Sequence, residues 1–398
     1  MQRLRALRFD RIQLNAILVV TSFVAVLTLS SQSAASYPTY ILALSMLVSA
    51  RMWGDVFESR LIWLVLVLVS YLCISTFWSD PFSGRELVST LTRGVLIFSF
   101  VVALAECQLR GQVQRWMSRA LGIVGGLVAL IAVAGFYLDP PETYRLRGFG
   151  QLDHPVVAGL ILSIVVLFLL QTLLSDRSTL WRSVALIAMA PVFVAISLTG
   201  SRNVWVSCSI GIVVYLFATF IRDKRSFPIA ILGMLCVAIA LIAGLAINED
   251  TVELVLPRGD SFRLEIWSAV WNRLLESGLL FGAGLATPDS VELNGEVFQH
   301  PHNMYLAVAF QGGLVALALF LALILMVLVY AYRRFEIPDA KLLVALMATA
   351  LSSYLLDGHE LIDKVGETWF LFWLPVALGV GISWNFSGER RENLSEMI

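Results

Sequence analysis

Charge is scarce in this chain of 398 residues, in which 14% of the residues are charged and 58% are hydrophobic. A soluble domain typically has about a quarter charged and about half apolar residues. The 28 Lys and Arg residues against 29 Asp and Glu residues give a formal charge of -1, which excludes a generally basic nucleic-acid-binding protein. The composition predicts an integral membrane protein with no nucleic-acid partner.

Motifs that hold metals or disulfides are also missing. The four cysteines lie in or beside apolar runs without C-x-x-C spacing, which excludes a disulfide framework and a thiolate metal site. The histidines form no His-Glu-x-x-His motif. We therefore predict neither a metal nor a cofactor.

Long apolar runs dominate what is present. A helix needs about 20 apolar residues to cross a bilayer, and twelve such runs predict an all-α polytopic membrane protein whose residues 1–398 form a single transmembrane domain. The first run is longer than the apolar part of a signal peptide, so we interpret it as a span. The runs lie near residues 12–30, 38–52, 61–78, 87–105, 119–138, 155–174, 181–198, 203–221, 227–247, 303–331, 341–356 and 368–385.

The basic residues predict the orientation. If both termini are cytoplasmic, 19 of the 28 basic residues lie on the cytoplasmic side, as the positive-inside rule favours. Basic residues on the outer face then need another explanation, which makes them candidate functional residues. They are Arg85, Arg93, Arg145, Arg147, Arg202, Arg258, Arg263, Arg273 and Lys364.

One outer loop, residues 248–302 between the ninth and tenth spans, is much longer than the others. Its apolar residues recur at helical spacing and predict an amphipathic helix in the membrane interface. We expect the following glycines, among them Gly282 and Gly284, to bring backbone N–H groups close to an anion. The apolar residues that predict the helix are Ile266, Val270 and Leu274.

Three arginines are candidate site residues, two of them for binding an anion and Arg93 for a supporting role. Arg202 lies in a tight outer turn, where its guanidinium can grip a phosphate or, alternatively, snorkel to lipid headgroups. Arg263 opens the amphipathic helix, whose N-terminus favours anions, although a merely solvated arginine is an equal alternative. Arg93 lies about six residues inside the fourth span and should face the bundle interior.

Two histidines precede the tenth span in the segment from His300 to Asn303. A neutral histidine can accept a proton from a sugar hydroxyl, and the alternative is a structural histidine. We favour His302 as the base, since His300 lies beyond a proline and is expected to vary in direction. Arg145 and Arg147 add positive charge in another outer loop.

These residues describe a basic, outward-facing site with one or two histidines. Such a site suits a lipid that contains phosphate. In glycosyl transfer from a polyprenyl diphosphate sugar, negative charge grows on the departing diphosphate, and arginines stabilise it without a metal.

Four sequence patches support a family resemblance. They are Trp78-Ser79-Asp80-Pro81, the turn from Leu198 to Arg202, Arg263 with Trp267 and Gly282-Ala283-Gly284, and His302-Asn303 followed after nine residues by Gly313. With them the sequence resembles the O-antigen ligase family, which also includes O-antigen and exopolysaccharide polymerases. The ligase pattern ends in Gly, Thr or Tyr, where this chain has Ala316.

The resemblance implies a residue assignment and a reaction. It assigns Arg202 and Arg263 to the diphosphate and His302 to the essential histidine, in a twelve-helix bundle of the polyprenyl-phosphate glycosyltransferase (GT-C-like) type. It implies metal-independent transfer from undecaprenyl diphosphate at the periplasmic face of a bacterial inner membrane. The acceptor is a lipid A-core sugar for a ligase and another lipid-linked repeat unit for a polymerase.

A transporter is the alternative from another class, because twelve spans also suit two six-span halves. The long loop follows the ninth span instead of the sixth, and the excess charges gather at the outer surface, which counts against it. A lipid flippase would need a charged cavity through the bundle, for which Arg93 alone gives little support.

Overall fold

The structure is a computed structural model that describes residues 2–29, 31–47, 57–108, 111–148, 150–221, 262–293 and 295–384. The predicted ninth span, 227–247, and the first part of the long loop lie outside the described residues. The helices are α1 (Gln2–Thr28), α2 (Gln32–Leu47), α3 (Arg60–Ser75), α4 (Gly84–Gln108), α5 (Gly111–Leu138), α6 (Pro155–Ser175), α7 (Thr179–Leu198), α8 (Arg202–Phe220), α9 (Arg263–Ser277), α10 (Met304–Arg333), α11 (Pro338–Tyr354) and α12 (Trp369–Trp384).

Seven of these helices are long and apolar enough to cross a membrane, within the described part of the chain. They are α3 with the short 3-10 turn that follows it, α4, α5, α6, α7, α8 and α10. Two shorter apolar helices cover Ile12–Thr28 and Trp369–Trp384. The protein is therefore a mostly helical, polytopic membrane protein, while the count of twelve spans stays a prediction.

The expectation of an all-α fold is wrong in one place. Strands β1 (Val291–Leu293) and β2 (Glu296–Phe298) pair antiparallel, with Val291 opposite Phe298. Gly295 has a φ of 82° in the turn between them, a conformation that glycine adopts at little cost. Strands of three residues carry too little alternation for a sequence pattern to identify them.

Helix α6 lies at the centre of the bundle and is apolar on all sides, as a fully buried helix should be. It packs against α5, α7, α8 and α11. A glycine permits close packing of α8 on α11, since a Cβ added at Gly211, in the middle of α8, would collide with the Thr349 hydroxyl oxygen of α11. The start of α8 is fixed beside the end of α11 by the hydrogen bond from Asn203 Nδ2 to Ser353 Oγ at 3.3 Å.

Helix α10 is broken at Gly313, whose φ of 67° and ψ of -167° are not helical. The segment 279–284 inserts at the break and binds the freed backbone groups. Ala283 N donates to Phe310 O at 2.7 Å, and Leu314 N donates to Leu279 O at 3.0 Å. A Cβ on Gly313 would lie 2.2 Å from Leu280 O, so only glycine fits there.

This insertion corrects one expectation about Gly282 and Gly284. Their segment brings backbone N–H groups to carbonyls of α10 and not to an anion, since Gly284 N donates to Gln311 O at 3.0 Å. A Cβ on Gly282 would lie 2.5 Å from Gly313 N. Gly282 and Gly284 of one sequence patch and Gly313 of another therefore allow the same close contact between the backbones of segment 279–284 and α10.

The loops that follow α3, α5, α7, α9 and α11 meet at one end of the bundle, which we term the loop end. Segment 279–287 bonds to the end of α3, for example from Asp80 N to Thr287 Oγ1 at 3.0 Å. Leu146 N donates to Leu198 O at 2.7 Å and ties two further loops together. The candidate residues of the sequence analysis lie at this end.

Candidate functional site

All four histidines of the sequence gather at the loop end, although 205 positions separate the first from the last. The ring centroid of His300 lies 3.9 Å from that of His302 and 4.4 Å from that of His359. His154 belongs to the same cluster, because it interacts with the charges of His302 and Asp357. Burial and the charges of Arg145 and His302 lower the pKa of His154, whereas the charge of Asp357 raises it. Only His300 and His302, which are close in sequence, were predicted to belong to the site.

His302 is paired with an aspartate that the sequence analysis did not select. Its Nδ1 lies 3.2 Å from Asp357 Oδ1, and the two side chains are 36% and 20% exposed. Burial raises the pKa of Asp357, but the hydrogen bond from His302 and that from the Gly358 N–H leave it below its ordinary value. An ionised Asp357 places the histidine proton on Nδ1, which leaves Nε2 free to accept another proton.

Asn303 fixes the position of His302 at the start of α10. Its Oδ1 accepts a hydrogen bond from Leu306 N at 3.0 Å, and its Nδ2 donates to Leu355 O at 3.3 Å. Asn303 thus caps α10 and ties it to the turn that carries Asp357. Asn303 was predicted to support the site, and these two hydrogen bonds make it a residue that positions His302.

His300 is held in place, so the expectation that it varies in direction is wrong. Its Nδ1 accepts a hydrogen bond from His302 N at 3.3 Å, and its ring stacks on His359. Burial and the charges of His359 and His302 lower the pKa of His300 to about 3. A ring that resists protonation to this extent is a poor general base.

Arg202 lies next to the turn that carries Asp357. Asn203 Nδ2 donates to Ser353 Oγ at 3.3 Å, and Asp357 N donates to Ser353 O at 2.9 Å. The side chain of Arg202 is exposed and makes no hydrogen bond or ion pair within the described residues. Its guanidinium is therefore available to a ligand at the loop end.

Arg145 and Arg147, both predicted to support the site with positive charge, differ in their contacts. Arg145 Nε donates to Thr199 O at 2.8 Å and so stiffens the turn before Arg202. Arg147 lies 4.0 Å from Asp153, with side chains 48% and 80% exposed, a pair of small energetic effect.

Arg263 is held at the site by α9. One turn further along, Trp267 Nε1 donates to Pro301 O at 2.9 Å, next to His302. The predicted apolar face of α9 is buried against α10 and the hairpin, with Ile266, Val270 and Leu274 each 0% exposed. Like Arg202, Arg263 has no hydrogen bond or ion pair to any described residue.

Arg93, by contrast, already has partners. Its guanidinium lies 3.5 Å from Glu360 Oε2 and 3.5 Å from Ile362 O, and its side chain is 19% exposed. Burial and the charge of Asp363 raise the pKa of Glu360 to about 7, against the charge of Arg93. The expectation that Arg93 faces the interior agrees with this burial, and its guanidinium supports the loop that follows α11.

Asp289 is a second carboxyl group next to the histidines. Burial raises its pKa to about 6, although the charges of His359, Arg273 and His302 lower it. Arg273 fixes the segment by donating to Ser290 O at 2.8 Å and Pro288 O at 2.7 Å. Asp289 Oδ2 is buried without a hydrogen-bond partner among the described residues.

Three groups of the cluster have the geometry to hold a metal ion. One ligand atom each from His300, His302 and Asp357 lie within 4.8 Å of one another, and two nitrogens with one oxygen suit a divalent transition metal. The sequence motifs did not indicate this set, because Asp357 is 55 positions away from His302. The absence of a metal from the reaction stays a prediction.

Comparisons with known proteins agree with the resemblance drawn from the sequence patches. The sequence model of the family described as O-Antigen ligase matches residues 184–321. This match includes Arg202, Arg263 and the segment from His300 to Gly313. The chain is also similar to an O-antigen ligase of Pseudomonas aeruginosa strain PAO1, with 28% identity over 331 residues, 82% of this chain and 79% of the relative. The chain is thus similar to O-antigen ligases, both over the residues that the family model matches and over most of its length.

Proposed function

We propose that the protein transfers a glycan from undecaprenyl diphosphate to a sugar hydroxyl of the lipid A-core, as an O-antigen ligase. Similarity to the O-antigen ligase family supports a ligase- or polymerase-type role in glycan transfer. The observation that carries the proposal is the His302–Asp357 pair, whose Nδ1 and Oδ1 atoms lie 3.2 Å apart. Arg202 and Arg263, which have no partners among the described residues, lie at the same loop end.

The chemistry follows from these groups. His302 Nε2 accepts the proton of the acceptor hydroxyl as its oxygen bonds to the anomeric carbon of the donor sugar, and ionised Asp357 stabilises the imidazolium that forms. The bond between that carbon and the diphosphate oxygen breaks, and the diphosphate leaves with the bonding electrons. Arg202 and Arg263 bind the charge that grows on the diphosphate.

The proposed setting is a bacterial inner membrane with the loop end in the periplasm and both termini in the cytoplasm. The split of 19 basic residues against nine supports this orientation. We further propose a GT-C-like bundle of twelve spans, with the predicted span at 227–247 and a periplasmic loop at 248–302 that places α9 at the membrane interface.

Position 316 departs from the ligase pattern. Ala316 is fully buried, and a Cβ added at Gly312 would lie 2.5 Å from the Cβ of Ala316. This contact requires glycine at position 312, and nothing in the structure explains the alanine at position 316.

The experiment that tests the function is deletion of the gene in its own bacterium, with analysis of lipid A-linked and lipid-linked glycans. We expect lipid A without long glycan and accumulation of polymer on the lipid carrier. Restoration by the wild-type chain is the control. Accumulation of single repeat units would indicate a polymerase, and unchanged glycans would contradict both activities.

We expect chelators to leave the reaction unchanged, because the arginines and not a metal ion bind the diphosphate. The measurement is transfer by purified protein with a lipid-linked donor, before and after dialysis against EDTA, together with a metal analysis of the protein. A loss of activity that a single divalent metal restores would show that His300, His302 and Asp357 form a metal site.

A further inference from the structure

A second site is suggested by a cavity of about 440 Å³ at the end of the bundle opposite the loop end. This volume lies within the range of small-ligand pockets. The cavity lies between the start of α5, the end of α6 and the start of α11. Its charged and amide side chains are Arg115, Arg119, Gln171, Asp176, Arg177 and Asp339.

The rim of the cavity is positively charged. Arg119 already has partners within the protein. Its NH2 lies 2.6 Å from Asp176 Oδ2, and its guanidinium lies 5.0 Å from the ring centroid of Trp181. Arg115 and Arg177 are exposed and have no hydrogen bond or ion pair to any residue that the structure describes. Two such guanidinium groups are suited to a phosphate.

The floor of the cavity, by contrast, contains a hydrogen-bond acceptor that no donor among the described residues pairs with. Gln171 is 6% exposed, and its Nε2 donates to Asp339 Oδ1 at 2.6 Å. The Oε1 of Gln171 is buried and has no partner in the described part of the chain. An amide oxygen next to a carboxylate favours an ammonium group, which supplies both charge and N–H donors.

We propose that this cavity binds a ligand in which an amine is attached to a phosphate, such as the ethanolamine phosphate headgroup of a phospholipid. The phosphate contacts Arg115 and Arg177, and the ammonium group contacts Gln171 Oε1 and Asp339. The ends of α5 and α6, both long enough to cross a membrane, lie at the depth where headgroups are found.

The test measures lipid binding to the purified full-length protein by native mass spectrometry, with phosphatidylethanolamine and phosphatidylglycerol as probes. We expect about tenfold tighter binding of phosphatidylethanolamine, equivalent to one additional hydrogen bond to a charged group. Gln171→Leu removes the acceptor and should abolish this preference. Arg115→Gln combined with Arg177→Gln should weaken both lipids about tenfold.

Arg333→Gln is the matched control, because Arg333 is exposed at the same end of the bundle but does not line the cavity. Equal binding of the two lipids by the wild type, or arginine variants that bind as the wild type does, would overturn the proposal. If Gln171→Leu fails to fold, the binding measured for the Arg115 and Arg177 variant tests the proposal instead. If soluble phosphoethanolamine displaces the lipid, the ligand is a free molecule. If it does not displace the lipid, the ligand is a membrane lipid.

Discussion

Replacement of His302 by alanine is expected to lower glycan transfer roughly 10³-fold, the usual effect of removing a general base. The ring that accepts the hydroxyl proton is then gone, whereas Arg202 and Arg263 remain and donor binding should persist. The measurements are initial rates of transfer and binding of the lipid-linked donor.

Two further variants separate catalysis by His302 from a structural role of the cluster. Asp357→Asn keeps the shape of the side chain but donates to Nδ1, which moves the histidine proton to Nε2 and blocks the acceptor atom. We expect a loss of at least about a hundredfold. His300→Gln should retain most of the rate, because the low pKa of His300, about 3, already makes it a poor base.

Normal turnover of His302→Ala would show that the histidine is structural. Asp289 would then be the next candidate, since burial raises the pKa of its carboxyl to about 6 and it lies close to the same histidines. Glu296, in the same loop, is exposed on β2. A loss of folded protein in the variants would be recognised from their yield and thermal stability.

The spans that the structure describes were predictable because apolar composition alone determines them. Runs such as 155–174 and 181–198 agree with α6 and α7 to within about two residues, as expected where a bilayer fixes the length of the helix. Helix α9 was also predictable, since Ile266, Val270 and Leu274 recur at helical spacing. Its apolar face packs against α10 and the hairpin, and its place at the membrane interface stays a prediction.

The composition of the site was only partly predictable. Local patches identified His302, Arg202 and Arg263, but Asp357 follows a helix in which no motif marks it. Its contact with His302 depends on the fold, because Asn203 and Asn303 tie the starts of α8 and α10 to the end of α11. Contacts across 55 positions leave no periodic signal in a single sequence.

The glycines show how a correct motif can be misinterpreted. Gly282 and Gly284 suggested an anion-binding loop, yet their backbone packs on the break of α10 at Gly313. Both interpretations rest on the same property, the close approach of a backbone without a Cβ. Which partner approaches is decided by tertiary structure, and the sequence patch alone does not specify it.

Replacement of Arg202 or Arg263 by lysine is expected to lower transfer about a hundredfold each, which corresponds to about 3 kcal/mol in the transition state. Lysine keeps the charge but loses the planar fork that binds two phosphate oxygens. Neither arginine bonds to another described residue, so the substitutions should not lower stability. Rates and donor affinity of the purified variants are measured together with their thermal stability.

Arg85→Lys provides the matched control. Arg85 is also an exposed arginine near the loop end, in the first turn of α4, and the predicted diphosphate contacts do not include it. Its rate should therefore equal that of the wild type. Near-full transfer by Arg202→Lys and Arg263→Lys, and also by the corresponding alanine variants at normal protein levels, would show that the two guanidinium groups do not bind the diphosphate. If instead both alanine variants lose activity while the lysine variants keep it, positive charge alone suffices and the two-point grip on the phosphate is not required.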